Sequence, residues 1–256
     1  IVIHLAARAH VMDERSSNPL AEYRRINVDG TRIIAEAASE AGIKRLIFLS
    51  SIKVNGEQTF EKSYAASDTA APEDVYGVSK AEAEEELKKV SVQTGLETVV
   101  IRTPLVYGPG VRANFLSLMS LANSSFPLPF GSITKNRRSL IYIGNLVDIL
   151  VTATKHPAAG GQIFLVRDGT DLSTAKLVRL LRAALGKPAR LISVPPSILR
   201  VLLSLLGKKS TADRLIGSLA INDHATQDIL GWSPAFSVKD GMKQTVDWYR
   251  VMKSKS

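Results

Sequence analysis

Apolar residues gather in short runs separated by longer stretches of helical spacing. Residues 1–7 (IVIHLAA), 45–50 (RLIFLS) and 98–102 (TVVIR) are apolar runs of strand length. Runs without polar alternation predict strands buried on both faces, as in a parallel sheet. Between them, 19–41 and 78–93 carry helical patterning, with Gly42 and Gly95 placed as terminators. The stretch 57–74 is polar and rich in turn formers, which predicts a loop. Strand, helix, strand, helix, strand at this spacing implies right-handed crossovers.

The pattern changes near Tyr107-Gly-Pro-Gly110. A helix over 114–123 leads into the proline-rich turn 126–131. Strands near 140–143 and 162–166 flank a further helix. From about 173 helices dominate, with one short strand at 190–194 and an amphipathic helix over 238–252. The expected architecture is α/β. A Rossmann-like parallel sheet is built from 1–110 and 140–168, and a smaller, mostly helical lobe from 111–139 and 169–256. Ligands of such sheets sit outside the carboxyl ends of the strands.

Composition narrows the chemistry. The 256 residues are 45% hydrophobic, enough for a substantial core, and contain no cysteine. Disulfides and thiolate metal sites are thereby excluded, in keeping with a reducing compartment, and the expected location is cytoplasmic. His4, His10, His156 and His224 have no metal-ligand spacing and read as structural, so no metal is expected. No apolar run is long enough to span a bilayer; the longest, 198–206, is interrupted by Arg200 and Ser204 and reads as a buried or amphipathic helix. The formal charge is +9, but the basic residues are scattered and not interleaved with aromatics, which disfavours nucleic acid as a partner.

One pair of residues suggests proton transfer. Tyr76 and Lys80 in YGVSK are four apart and share a helix face. A nearby ammonium favours the phenolate and brings a tyrosine toward useful acid–base range. The spacing alone is weak: six Tyr and 16 Lys in 256 residues give about 0.4 chance matches, and Tyr249 with Lys253 is a second one. Context separates them. Ser51 follows the run 45–50, placing a hydroxyl where sheet ligands bind, whereas Tyr249 sits in the terminal helix beside Trp248 and reads as a packing residue.

With VIHLAA (2–7), NVDGT (27–31), FLSSIKVNG (48–56), YGVSK (76–80), RTPLVYGPG (102–110), NRRSLIYIGNLVD (136–148) and LGWSP (230–234) in this order, the chain resembles the extended short-chain dehydrogenase/reductases. Within them it resembles the NAD-dependent epimerase/dehydratase family and its UDP-glucose 4-epimerase-like members. The resemblance implies a catalytic triad of Ser51, Tyr76 and Lys80. Ser51 would bind the reacting sugar oxygen, Tyr76 would move its proton, and Lys80 would hold the nicotinamide ribose and tune Tyr76. It places NAD, with NADP left open, against Leu5, Ala6, Ala7, Asn27, Ser50, Thr103 and Leu105. It places a UDP-sugar diphosphate at Asn114, Phe115 and Arg138, with Arg214 as a second arginine, and the uracil between Leu128 and Phe130. It also implies a homodimer through the helices near 19–41 and 77–94. Plainer readings exist: Asn27 as a helix brace, Leu128 and Phe130 as packing, Arg138 as a surface charge beside Arg137.

The chain departs from the pattern in three ways. No G-x-G-x-x-G or G-x-x-G-x-x-G occurs, so the phosphate cradle and the residue that separates NAD from NADP are not in this sequence. The chain thus resembles a member without its first strands, and 1–6 is expected to be an uncovered apolar edge. Val54-Asn55-Gly56 stands where relatives often have Val-Tyr-Gly, and the register of Arg214 is unusual. The leading expectation is a UDP-hexose 4-epimerase. Its rivals are a 4-keto reductase or dehydratase serving surface-polysaccharide synthesis, a non-catalytic dinucleotide sensor on the same fold, and a steroid-type dehydrogenase; the last would need neither Asn114 nor Arg138.

Overall fold

The computed structural model describes residues 1–9 and 16–254. The first apolar run yields β1 (Val2–His4), and Asn18 caps the helix that follows, its Oδ1 accepting from the Ala21 amide at 3.2 Å. That helix is α1 (Pro19–Tyr23), a π-helical turn (Arg24–Asp29) and α2 (Gly30–Glu40) in continuous sequence. Then come β2 (Arg45–Ser51), α3 (Val75–Thr94), β3 (Glu97–Thr103), β4 (Leu105–Tyr107) and α4 (Ala113–Ala122). Next are β5 (Leu140–Tyr142), α5 (Ile143–Lys155), β6 (Ile163–Leu165) and α6 (Thr174–Ala184). The chain closes with α7 (Pro196–Leu205), α8 (Lys209–Ile216), α9 (His224–Leu230) and α10 (Val238–Ser254).

The main sheet is parallel throughout, in the order β1-β2-β3-β6, and β4 pairs with β5 in a separate parallel ladder. Strand alternation sends Leu46, Phe48 and Val100 to one face, where they meet Ala35, Ala83 and Leu87 of α2 and α3. Ile47, Val99, Ile101 and Phe164 go to the other, against Leu146 and Ile149 of α5. β1 is the edge, and Ile1, Ile3 and Leu5 are exposed there. A second core joins α4, α6 and α10 around Tyr107, Met119, Leu181, Val246 and Tyr249.

Two sequence segments explain each other. Asn145 donates to the Phe236 carbonyl at 2.9 Å and accepts from the Phe236 amide at 2.8 Å. Trp232 Nε1 donates to Asp148 at 2.7 Å. The NLVD of α5 therefore clamps the chain leaving LGWSP. Leu230 and Trp232 join the α5 side of the main sheet, although they lie in the segment expected to belong to the helical lobe.

The strand expected at 190–194 is reduced to a single bridge between Leu128 and Leu191. Pro195 and Pro196 follow at once and have no N–H to extend a ladder. The helix expected from 78 begins at Val75, because Asp74 accepts from the Gly77 amide at 2.7 Å and starts the helix earlier. His4 meets Thr31 at 3.0 Å and His156 accepts from the Ala158 amide at 3.3 Å, whereas His10 lies outside the described residues. Among the described residues, no helix is long and apolar enough to cross a membrane.

Candidate active site

The carboxyl end of β2 and the first turns of α3 meet at one point, for a local reason. Ser51 closes β2, and its Oγ accepts from the Lys53 amide at 3.2 Å, capping a short turn over Ile52–Val54. A Cβ on Gly77 would lie 2.7 Å from the Lys53 carbonyl oxygen. Only glycine lets α3 lie this close to that turn. Lys53 reinforces the junction, pairing with Asp74 and, at 2.7 Å, with Glu57. Ser51 and Tyr76 are thereby held together, and Thr103 sits beside Ser51 in register on β3.

Tyr76, Lys80 and Glu84 form one line along α3 at successive spacings of four. Tyr76 is half-buried, its ring edge-on to Tyr23 at 6.2 Å between centroids. Burial pushes its phenol up to about 12, Asp74 and Tyr23 push the same way, and the Ser51 hydroxyl opposes them. Lys80 is 1% exposed, and its Nζ stands 3.9 Å from the centroid of the Phe48 ring. Burial brings this lysine down to about 8, with Glu84 opposing. Besides burial, the groups that shift the phenol are Asp74, Tyr23 and Ser51. Lys80 lies one turn deeper along α3, with its ammonium over Phe48.

Glu84 completes the line, and sequence reasoning missed it. It pairs with Arg102 at 2.6 Å and accepts from Ser50 Oγ, while Arg102 also donates to Asn55 Oδ1 at 3.0 Å. Continuing the spacing of four from Lys80 would have pointed to it. Asn55 is drawn inward by this network and is buried.

The expected cofactor residues divide. Leu5 and Ala6 are exposed and Ala7 is partly so, just beyond the carboxyl end of β1. Asn27, at the π-helical turn, gives one amide hydrogen to the Arg8 carbonyl at 3.1 Å and the other to Ser79 at 2.9 Å. It also accepts from the Arg8 amide at 2.7 Å. Its carboxamide thus braces the segment after β1 against α3, the plainer of the two readings. Ser50 is taken up by Glu84, and Thr103 donates weakly to the Ser50 carbonyl at 3.4 Å. Leu105 is partly buried against the second core.

A nicotinamide dinucleotide can be tested against these groups. Lys80 is a buried cation with no hydrogen bond among the described residues, and its charge is felt by His4, the last residue of β1. That fits the ribose end of such a cofactor. The pyrophosphate end has no glycine-rich turn here.

Among the substrate candidates, Asn114 is exposed in the first turn of α4, next to Ala113, which holds a left-handed φ of 50°. Phe115 points the other way, 3% exposed and stacked on Tyr107 at 5.6 Å. Leu128 and Phe130 are buried with Val178 and Leu199, so they pack the second lobe. The adjacent arginines behave oppositely. Arg137 reaches out to Asp171 at 2.8 Å. Arg138 turns inward, its backbone bridged to Leu172 and Leu219, and no carboxylate pairs with it among the described residues. Burial depresses its guanidinium; Glu57 opposes this and Arg214 adds to it. Arg138 and the exposed Arg214 thus share one electrostatic neighbourhood with the loop that follows Ser51. That loop is tied to it by bridges from Thr59 to Ser218 and from Tyr64 to Ile221.

Comparison with known proteins places this geometry. The family model described as "NAD dependent epimerase/dehydratase family" matches residues 1–166. The UDP-glucose 4-epimerase of Vibrio cholerae is 49% identical over 246 residues, 96% of this chain and 75% of that protein. Among solved structures, UDP-glucose 4-epimerase of Thermotoga maritima with UDP-glucose has a TM-score of 0.75 at 20% identity, over 98% of this chain and 77% of that one. The Bordetella bronchiseptica enzyme WbmG with NAD has a TM-score of 0.73 at 20% identity, over 98% and 71%. From the matched residues and the site they build, the chain belongs to the NAD-dependent epimerase/dehydratase family.

Proposed function

We propose that this protein inverts C4 of a UDP-hexose by transient oxidation, using bound NAD. The observation that carries the reading is the meeting of Ser51, Tyr76 and Lys80 at the carboxyl end of β2, in a chain 49% identical to a UDP-glucose 4-epimerase. When bound, NAD supplies the hydride acceptor and donor. Tyr76 takes the proton from the C4 hydroxyl as its phenolate and later returns it; the positive charge that NAD would bring has to offset the upward shift burial imposes on the phenol. Ser51 holds the same oxygen and lowers the cost of ionising Tyr76. Lys80 binds the ribose and brings positive charge into a dry site, where it counts for more than in water. Leu5, Ala6, Ala7, Thr103 and Leu105 would hold the cofactor, and Asn27 and Ser50 hold the frame from within. Arg138 and Arg214 receive the diphosphate, since guanidinium forks match phosphate oxygens, and Asn114 stands at the rim. Phe115, Leu128 and Phe130 form the floor beneath the nucleotide.

For the whole molecule, the reading is a 1–110 and 140–168 cofactor domain with a 111–139 and 169–256 substrate lobe. It is a cytoplasmic homodimer paired through α2 and α3, whose outer surfaces carry Ile33 and Val92 exposed.

The experiment is to incubate the protein with NAD and UDP-glucose or UDP-N-acetylglucosamine, with no NADH added. Formation of the C4 epimer without net cofactor consumption is expected. NADH oxidation with a 4-keto sugar nucleotide, and no epimer, would replace the reading by the reductase.

A further inference from the structure

Helix α7 buries one apolar face and leaves a second one in solvent. Leu199 and Leu203 point inward, packing with Leu128, Phe130 and Val178. Ile198, Val201, Leu202 and Leu205 recur at spacings of three and four on the adjacent side, and Leu206 extends the row. All five are at least half exposed, Leu205 at 79%. A soluble helix normally sends such a stripe to the core, and a continuous exposed row marks an interaction surface.

Charge identifies the occupant. From Leu172 to Ala212 the sequence has eight Lys and Arg and not one Asp or Glu. Lys208 and Lys209 follow the apolar row directly and are exposed, as is Arg200 on the polar side of the helix. Arg200 pairs with Asp213 at 3.7 Å, while no carboxylate pairs with Lys208 or Lys209 among the described residues. An apolar stripe bordered by uncompensated cations is complementary to a surface that is anionic outside and hydrocarbon within. A second copy of this chain is a poorer fit. A two-fold contact on α7 would set these cations against their own copies, and one helix face is small beside the roughly 800 Å² per partner of a stable interface.

We propose that α7 lies in the interface of an anionic phospholipid bilayer, with Ile198, Val201, Leu202, Leu205 and Leu206 dipped into the acyl boundary and Lys208 and Lys209 at the headgroups. The helix lies on the membrane and does not cross it. The docking surface is separate from Ser51, Tyr76 and Lys80, so it stands or falls independently of the proposed reaction.

The test is sedimentation of the full chain with vesicles of phosphatidylcholine alone and of phosphatidylcholine mixed with phosphatidylglycerol. Binding to the mixed vesicles is expected, weakened by salt. It should fall about tenfold or more in Leu202→Gln/Leu205→Gln and in Lys208→Glu/Lys209→Glu, with thermal melting unchanged because all four side chains are exposed. A Tyr76→Phe variant should bind vesicles like the parent, which separates this result from any failure of the reaction. Wild-type protein that stays in the supernatant with the mixed vesicles overturns the proposal. So do variants that bind as well as the parent. Conversion of a dimer to a monomer by Leu202→Gln/Leu205→Gln, without vesicle binding by the parent, also overturns it and makes α7 a contact between copies.

Discussion

Tyr76 and Lys80 are both moved away from their charged forms by burial, the phenol up to about 12 and the ammonium down to about 8. Neither shift helps folding, and both concentrate at the site. For Lys80 the direction has a measurable consequence. The folded-state value lies below the ordinary 10.5, so between pH 8 and 10.5 the unfolded chain binds more protons than the folded one. Stability conferred through this group therefore rises with pH across that window, by about 3 kcal/mol at most. Lys80→Met should melt at higher temperature than the parent at pH 7, and the gap should shrink above pH 8 in calorimetric scans. Arg138 is a half-buried cation with no carboxylate partner among the described residues. Arg138→Ala should leave melting nearly unchanged and raise KM for the nucleotide sugar by about tenfold to a hundredfold in steady-state kinetics, the effect of losing a charge-assisted contact.

At the scale of elements, the site depends on how closely α3 approaches the turn after β2. Gly77 sets that distance, and Gly77→Ala would force its new Cβ to 2.7 Å from the Lys53 carbonyl. The helix start must shift, so activity should fall at least tenfold while the far-UV circular dichroism keeps its helical signal. The sequence made much of this level legible. RLIFLS and TVVIR are strands because they are buried on both sides, and YGVSK opens α3 because its neighbours cap it. What was not legible depended on which way a side chain turns. Phe115 looks inward although its neighbour Asn114 looks out, and Arg138 is half-buried while Arg137 is exposed. Asn27 spends its amide on Arg8 and Ser79 because a π-helical turn reorients it, and no local composition announces a π-turn. Residues 190–194 have strand-like composition, but the prolines behind them stop any ladder.

Across the whole molecule, Asp168 joins the two ladders of strands to the C-terminal segment. Its carboxylate accepts from Tyr107 Oη at 2.7 Å, the Tyr142 amide at 2.9 Å and Asn145 Nδ2 at 2.8 Å. Through Asn145 the same cluster reaches Phe236, at the foot of α10. Asp168→Ala would strand three buried donors at once, so a loss of about 3–5 kcal/mol is expected in urea titration, with both lobes weakened together. On the proposed reading the site lies between these parts: β2 and α3 carry Ser51, Tyr76 and Lys80, and the second lobe would supply Arg138 and Arg214. The lobes must be held in register for proton transfer and phosphate binding to act on one substrate.

On the proposed reaction, hydride leaves C4 and returns to the same carbon within one binding event. UDP-glucose carrying deuterium at C4, incubated with the protein and NAD in ordinary water, tests it directly by mass and proton resonance of the product. UDP-galactose that keeps its deuterium at C4, with no NADH released, is expected. Loss of the label to solvent, or product formed only when NADH is consumed, would contradict it.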